Sequence, residues 1–117
     1  MTTIADIKRT LAMAHRQFEE AMVNELTFSQ YQILDAVRSA KGTPNQTDII
    51  DATLIDRSTS SDIIRRLCNR GLLNRKRNKD DAREYLLTVS KEGFDMLSVA
   101  DKHLRRIERS LSLKEAA

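Results

Sequence analysis

Apolar residues recur along this chain in two rhythms, and the change from one to the other divides it into elements. Between residues 3 and 24, Ile4, Ile7, Leu11, Ala14, Phe18 and Met22 are spaced by threes and fours, which predicts a long amphipathic helix whose stripe needs a partner. Thr27 followed by Gln30 has the form of a capping box, so a second helix starts there. It buries Tyr31, Ile33, Leu34 and Val37, and stops near Ala40 ahead of Gly42 and Pro44. Residues 43–47 read as a turn-rich linker, Ile49, Ile50 and Ala52 as a short third helix, and Thr53, Leu54 and Ile55 as a tight turn. Asp56 is placed to cap a fourth helix that buries Ile63, Ile64 and Leu67 and is closed by Gly71.

Beyond Gly71 the period shortens. Residues 72–77 and 83–89 are extended candidates on either side of a turn-rich tip at 78–82, which predicts a β-hairpin. From Ser90, an N-cap, the spacing of threes and fours returns through Phe94, Leu97, Ala100, Leu104, Ile107 and Leu111, so a long last helix is assigned to residues 91–113. The expected fold class is therefore mainly α with a small β-hairpin (α+β). A short helix, a tight turn and a helix with a polar outer face form a helix-turn-helix pattern, and the hairpin after it is a wing. This winged helix-turn-helix head, residues 27–90, lies between the long helices 3–24 and 91–113 in a single domain, and pairing of two chains would bury the stripes of those helices.

Composition narrows the class further. A chain of 117 residues holds one domain, and 4% aromatic with 32% charged residues describes a helix-rich protein with no bilayer span and no signal-like apolar start. A cytoplasmic location and no membrane partner are expected. Cys68 is the single cysteine, so it has no internal disulfide partner; at the edge of the fourth helix's apolar face it reads as a small half-buried side chain rather than a redox switch.

Net charge is only +3, but residues 57–85 carry nine basic and four acidic side chains, a local +5 that leaves −2 for the remainder. Such concentration predicts a polyanion bound at one place. It also weighs against a winged helix used purely as a protein-interaction or architectural module, which has little need of those cations. An enzyme is the other competing class. His15 and His103 lie far apart on ordinary helices, and the sequence has neither a metal-ligand spacing nor a phosphate-binding Gly loop, so no cofactor or metal is expected.

The outer face of the fourth helix presents Ser58, Ser61, Asp62, Arg65 and Asn69, which suits either a solvated surface or a surface that reads base edges. The neighbouring motifs decide between these. Leu26 and Thr27 with Gln30 and Leu34, then Asp56, Arg57, Ser58 and Thr59, then Leu67, Gly71, Leu72, Leu73 and Arg75 follow in order. After them come Asp81 and Arg83, and Val89, Ser90 and Gly93. From Leu26 to Gly93 the chain resembles the MarR (multiple antibiotic resistance regulator) family of winged helix-turn-helix transcription factors. It departs in having Val-Ser where the family has Leu-Thr, and in its short C-terminus.

The resemblance implies a homodimer on double-stranded DNA, a repressor on a pseudo-palindromic operator, with each recognition helix in a major groove and each wing over an adjacent minor groove. In that setting Arg65 can donate two hydrogen bonds to a guanine, while Ser58, Ser61 and Asp62 reach bases or phosphates. Asp62 alternatively holds Arg65 or Arg66 in place, and Arg57 and Thr59 serve the backbone or the cap. By the same analogy Arg83 is the minor-groove residue and Asp81 braces it or the turn. Arg75, Lys76, Arg77 and Lys79 suit phosphates, although Arg75 and Arg77 share one strand face and Lys76 lies on the other. Gln46 and Thr47, at the start of the third helix, can offer backbone amides to a phosphate. The family also implies a small aromatic or lipophilic effector, for which Phe18, Met22, Tyr31 and Met96 are either lining residues or plain core.

Overall fold

The structure, a computed structural model, describes residues 1–111. Helix α1 (Ile4–Ala21) opens on a reciprocal capping box in which the Asp6 amide donates to Thr3 Oγ1 and the Thr3 amide to Asp6 Oδ2, both at 3.1 Å. It ends three residues before the expected position, at Ala21 rather than Asn24. The cause is local: Asn24 takes φ +64°, and the Met22 carbonyl accepts the amides of Glu25 and Leu26 in a turn.

Helix α2 (Phe28–Ser39) begins directly after Thr27, and its first amide donates to Glu19 Oε2 at 3.2 Å. A left-handed Gly42, φ +71°, follows its end. Next come α3 (Gln46–Thr53), α4 (Arg57–Asn69), β1 (Leu73–Arg77), β2 (Tyr85–Val89) and α5 (Lys91–Ser110). Residues 112 and 113 of the expected last helix lie outside the described residues.

The described residues form two compact units, 1–28 together with 99–111, and Ser29–Ser98. In the first, Phe18, Met22, Leu26, Ala100 and Ile107 are buried, and the Phe18 ring meets Phe28 edge-on at 5.4 Å between centroids. The first half of the α1 stripe is bare: Ile4, Ile7 and Leu11 are 84%, 57% and 56% exposed.

In the second unit, Ile33, Leu34 and Val37 of α2, Ile49 and Ile50 of α3, and Ile63, Ile64 and Leu67 of α4 are buried together with Leu72, Leu73, Leu87 and Leu97. Fully burying aliphatic side chains of this size stabilises by about 1.5–3 kcal/mol each, which sets the inward face of α4 and therefore its outward one. The strands pair antiparallel with Leu73 opposite Val89 and Arg77 opposite Tyr85. Both are shorter than the expected extended runs, because Leu72 is used to close α4 and Arg83 and Glu84 belong to the hairpin turn.

Three junctions explain how the head is assembled. Gly71, φ +75°, donates to the Cys68 carbonyl while Leu72 donates to that of Leu67, each at 3.0 Å, a Schellman closure that turns the chain from α4 into β1. Residues 43–47, expected as a plain linker, do more. Asn45 forms a β-bridge with Leu86 and the Pro44 carbonyl accepts the Leu87 amide at 2.9 Å, so the segment before α3 lies along the outer strand of the wing. Finally Ser90 caps α5, accepting from the Gly93 amide at 2.9 Å and donating to the Gly71 carbonyl at 2.5 Å.

Candidate nucleic-acid interface

The base of the recognition surface is the N-terminus of α4. Asp56 caps it, with Oδ2 accepting from the Thr59 amide at 3.0 Å and the Ser58 hydroxyl at 2.9 Å. The Thr59 side chain and amide, helped by Ser58, hold the Asp56 carboxyl below the ordinary carboxylate range. Ser58 is thus tied into the cap in the free protein, and Thr59 sits exposed beside it. Ser60 turns inward, fully buried, and donates to the Ile55 carbonyl at 3.2 Å. The outward residues are Arg57, Arg65, Arg66 and Asn69, with Ser61 and Asp62 half-buried between them.

Asp62 joins two of these cations. One carboxylate oxygen binds the Arg65 guanidinium and the other Arg66 Nε, the latter at 2.9 Å, while both arginines stay more than half exposed. Asp62 is thus in the place expected of a residue that holds Arg65 or Arg66, and it pairs with both. Each keeps further N–H donors facing solvent, since a guanidinium has five.

The wing is organised by acids and amides at its tip. Asp81 Oδ1 accepts from the Arg83 amide at 3.0 Å and from Arg83 Nε at 3.2 Å, and the Asp80 amide donates to Asn78 Oδ1 at 2.9 Å. Asp81 therefore braces both the turn and the arginine, whose side chain is 92% exposed. Glu84 accepts from Asn78 Nδ2 at 3.0 Å and from Asn45 Nδ2 at 2.5 Å. Arg75 and Arg77, on one strand face as expected, both lie over the Tyr85 ring at 4.4 and 4.9 Å from its centre. Arg77 also donates to the Ala82 carbonyl, which gives it a part in holding the turn as well as a charge. Lys79 is exposed at the tip, and Lys76 lies across the strand with Thr43, Asn74, Leu86 and Thr88.

At the start of α3, Asn45 Oδ1 accepts from the Asp48 amide at 2.8 Å. Thr47 is exposed, whereas the Gln46 side chain turns inward and its Oε1 is buried with no hydrogen-bond partner among the described residues. Of the candidate effector contacts, Phe18 and Met22 are fully buried in the first unit, and Tyr31 and Met96 are half-buried in the second. The Tyr31 hydroxyl accepts from Arg38 Nη2 at 3.5 Å. Two clefts described on the head, one by Ile50, Leu54 and Arg57 and one by Val37, Pro44 and Phe94, are lined by other residues.

Among the remaining titratable groups, His15 meets Glu19 at 3.2 Å and His103 meets Arg106 at 3.1 Å, both at the surface. Burial pushes the half-buried Cys68 thiol up, against a smaller opposing effect of the Arg75 charge. Three contributors were missed from the sequence: Asn45, Glu84 and Tyr85. Only Asn45 carried a local signal, an Asx residue three before Asp48 at a helix start.

The MarR family model matches residues 24–84, slightly more than half of the chain. No curated protein matches it. Among solved structures, Bordetella bronchiseptica BpsR, described in terms of regulation of its DNA binding by 6-hydroxynicotinic acid, superposes with a TM-score of 0.79 at 26% identity, over 90% of this chain and 80% of that one. The Streptomyces coelicolor transcriptional regulator PcaV, in complex with its natural ligand, gives 0.78 at 29% identity over 93% and 77%. Apo MarR from E. coli gives 0.84 at 16% identity over 97% and 85%, a likeness of fold. The winged head with its basic face, and a family match that runs from before α2 through the recognition helix, β1 and the hairpin tip, place the chain in the MarR family of winged helix transcriptional regulators.

Proposed function

We propose that this chain is a sequence-specific double-stranded DNA-binding regulator, a repressor that acts as a homodimer on a pseudo-palindromic operator in the cytoplasm. One observation carries the reading: Arg65 and Arg66 on the exposed face of α4 and Arg83 on the wing are each oriented by a neighbouring acid while most of their donors face solvent. Oriented, solvent-facing guanidinium groups on two adjacent elements match the needs of major-groove and minor-groove contact. Arg65, with Ser61 beside it, reads bases; Arg57, Thr59, Arg75 and Lys79 supply phosphate contacts; Thr47 and the amides at the start of α3 supply another. The bare stripe of Ile4, Ile7 and Leu11 supports pairing of two chains, since contiguous exposed apolar surface of this kind marks an interaction face.

BpsR and PcaV support a further step, release by a small aromatic effector. Selection from a random duplex pool followed by anisotropy titration at two salt concentrations tests the DNA reading. A single enriched inverted repeat, with affinity falling steeply as salt rises, is expected. Equal affinity for the enriched site and for scrambled duplex overturns it. Sedimentation of the free protein tests the dimer, and thermal-shift screening against aromatic acids, with and without the selected duplex, tests the effector.

A further inference from the structure

We infer that Glu84 is a positioning residue that sets the angle of the wing against the helix-turn-helix, so that Arg83 and Arg65 address the same half-site; this rests on the DNA-binding reading above. Glu84 stands where the hairpin leaves its paired section: β2 begins at Tyr85 and the bridge to Asn45 is made by Leu86. Inward of that point the hairpin is tied to the segment before α3 by backbone, through Pro44 and Leu87. Outward of it, the link from the tip to that segment runs through the Glu84 side chain. One carboxylate oxygen takes Asn78 Nδ2 from the tip and the other takes Asn45 Nδ2 from the cap of α3.

Asn45 gives the contact its polarity. Its Oδ1 is committed to the Asp48 amide, so the side chain cannot flip without uncapping α3, and its Nδ2 needs an acceptor at position 84. Helix α3 packs in turn against α4. A chain of tip amide, Glu84, Asn45, α3 and α4 therefore connects the two DNA-facing elements, and the exposed Arg83 is only one residue from its first link.

The hydrogen-bond chemistry supplies its own rescue. In Glu84→Gln, the remaining side-chain oxygen still accepts from Asn78 but the new amide N–H faces the Asn45 N–H, so that bond is lost. In Asn45→Asp the cap is kept, because aspartate is as good an N-cap as asparagine, but two carboxylates now face each other. When Glu84→Gln and Asn45→Asp are combined, the new amide donates to the new carboxylate while its oxygen accepts from Asn78. Every partner is then satisfied again, with donor and acceptor exchanged.

The test uses the full chain in these four backgrounds, each with and without Arg83→Ala. Without DNA, exchange of the Asn78 backbone amide, which donates to the Glu84 carbonyl and opens when the tip is released from Asn45, should accelerate about tenfold in each single variant and return to the parent rate in the double. With the selected duplex, the factor by which Arg83→Ala weakens binding should shrink toward one in each single variant and recover in the double. An even loss of affinity in all four backgrounds with the Arg83 factor unchanged overturns the inference, as does a double variant no better than the singles. If no background distinguishes the selected duplex from scrambled DNA, the DNA reading fails, and the Asn78 exchange rates alone decide whether the clamp exists: unchanged rates overturn it.

Discussion

Replacing Gly93 by alanine sets two effects of opposite sign against each other, and the structure decides which wins. Gly93 lies in the first turn of α5, where helix propensity alone favours alanine by about 1 kcal/mol. A Cβ at this position would sit 2.2 Å from the Leu72 carbonyl oxygen and 2.7 Å from Val89 Cγ1. Carbon and oxygen in ordinary contact stand about 3.3 Å apart, so about 1 Å must be recovered by movement of the backbone. The Leu72 carbonyl cannot retreat freely. It accepts from the Ser90 amide at 3.1 Å, and the Leu72 amide closes α4 on Leu67. Pushing α5 away instead strains the Ser90 hydroxyl, which holds the Gly71 carbonyl and the Gly93 amide together.

Overpacking of a closed site costs about 1–3 kcal/mol and each buried hydrogen bond lost about 1 kcal/mol more, so the steric side exceeds the propensity side. With one hydrogen bond lost and the propensity gain subtracted, a net loss of about 1–3 kcal/mol is expected, which for a domain of this size lowers Tm by roughly 4–12 °C. Urea unfolding followed by circular dichroism, with parent and variant at equal protein concentration, measures it. A Gly93→Ala protein as stable as the parent or more so would mean that α5 is not seated against the end of α4 in this way.

Arg65→Ala should relax preference at one half-site position and cost ~1–3 kcal/mol on the selected duplex, and equal losses on selected and random duplex would remove it from base reading. Arg83→Ala should weaken binding and reduce its salt dependence while leaving thermal unfolding unchanged; unaltered affinity would take the wing out of recognition. Because the Asp56 carboxyl is held down chiefly by Thr59, the cap's contribution is complete above the ordinary value of 3.8 and is lost as pH falls through the lower folded value. Asp56→Asn should accordingly flatten the acid limb of a stability curve taken below that pH, and an unchanged limb would contradict the cap's charge dependence. The Cys68 thiol, raised by burial, should alkylate slowly near pH 8 and accelerate only above its ordinary 9.0; rapid labelling at neutral pH would show the opposite environment.

What the sequence made legible was what local chemistry decides. Asp56 and Gly71 bound α4 as a cap and a left-handed closing residue, because each acts within three or four residues of itself and needs no distant partner. The burial of Ile63, Ile64 and Leu67 follows from spacing alone. The opposite case is residues 43–47. Pro44 and Asn45 have strong turn chemistry, and nothing in their neighbourhood says that Leu86 and Leu87, about forty positions on, will recruit them to the sheet. The end of α1 was masked differently: Met22 keeps the helical rhythm and is buried, yet the backbone has already left the helix and Asn24 adopts a positive φ. At the candidate interface the residue types were readable, and so were the near partners, Asp62 with Arg65 or Arg66 and Asp81 with Arg83; partners across the hairpin were not. Tyr85 looked like an ordinary strand aromatic, while its ring carries both Arg75 and Arg77.

The acids within the basic segment show why net charge alone undersells such a surface. Counted by sign, Asp62, Asp81 and Glu84 oppose the binding of a polyanion. In the folded head Asp62 holds Arg65 and Arg66, Asp81 holds Arg83 and its turn, and Glu84 holds the two amides that join wing to α3. The ion pairs of Asp62 and Asp81 are exposed and contribute at most about 1 kcal/mol each to stability, so folding is not what they chiefly serve. Ordering an arginine on binding costs about 0.5–1.5 kcal/mol, and an acid that has already confined the side chain removes part of that cost before DNA arrives. On the proposed DNA-binding reading, these three acids are better counted with the recognition machinery than against it, and the +5 of the segment understates that machinery.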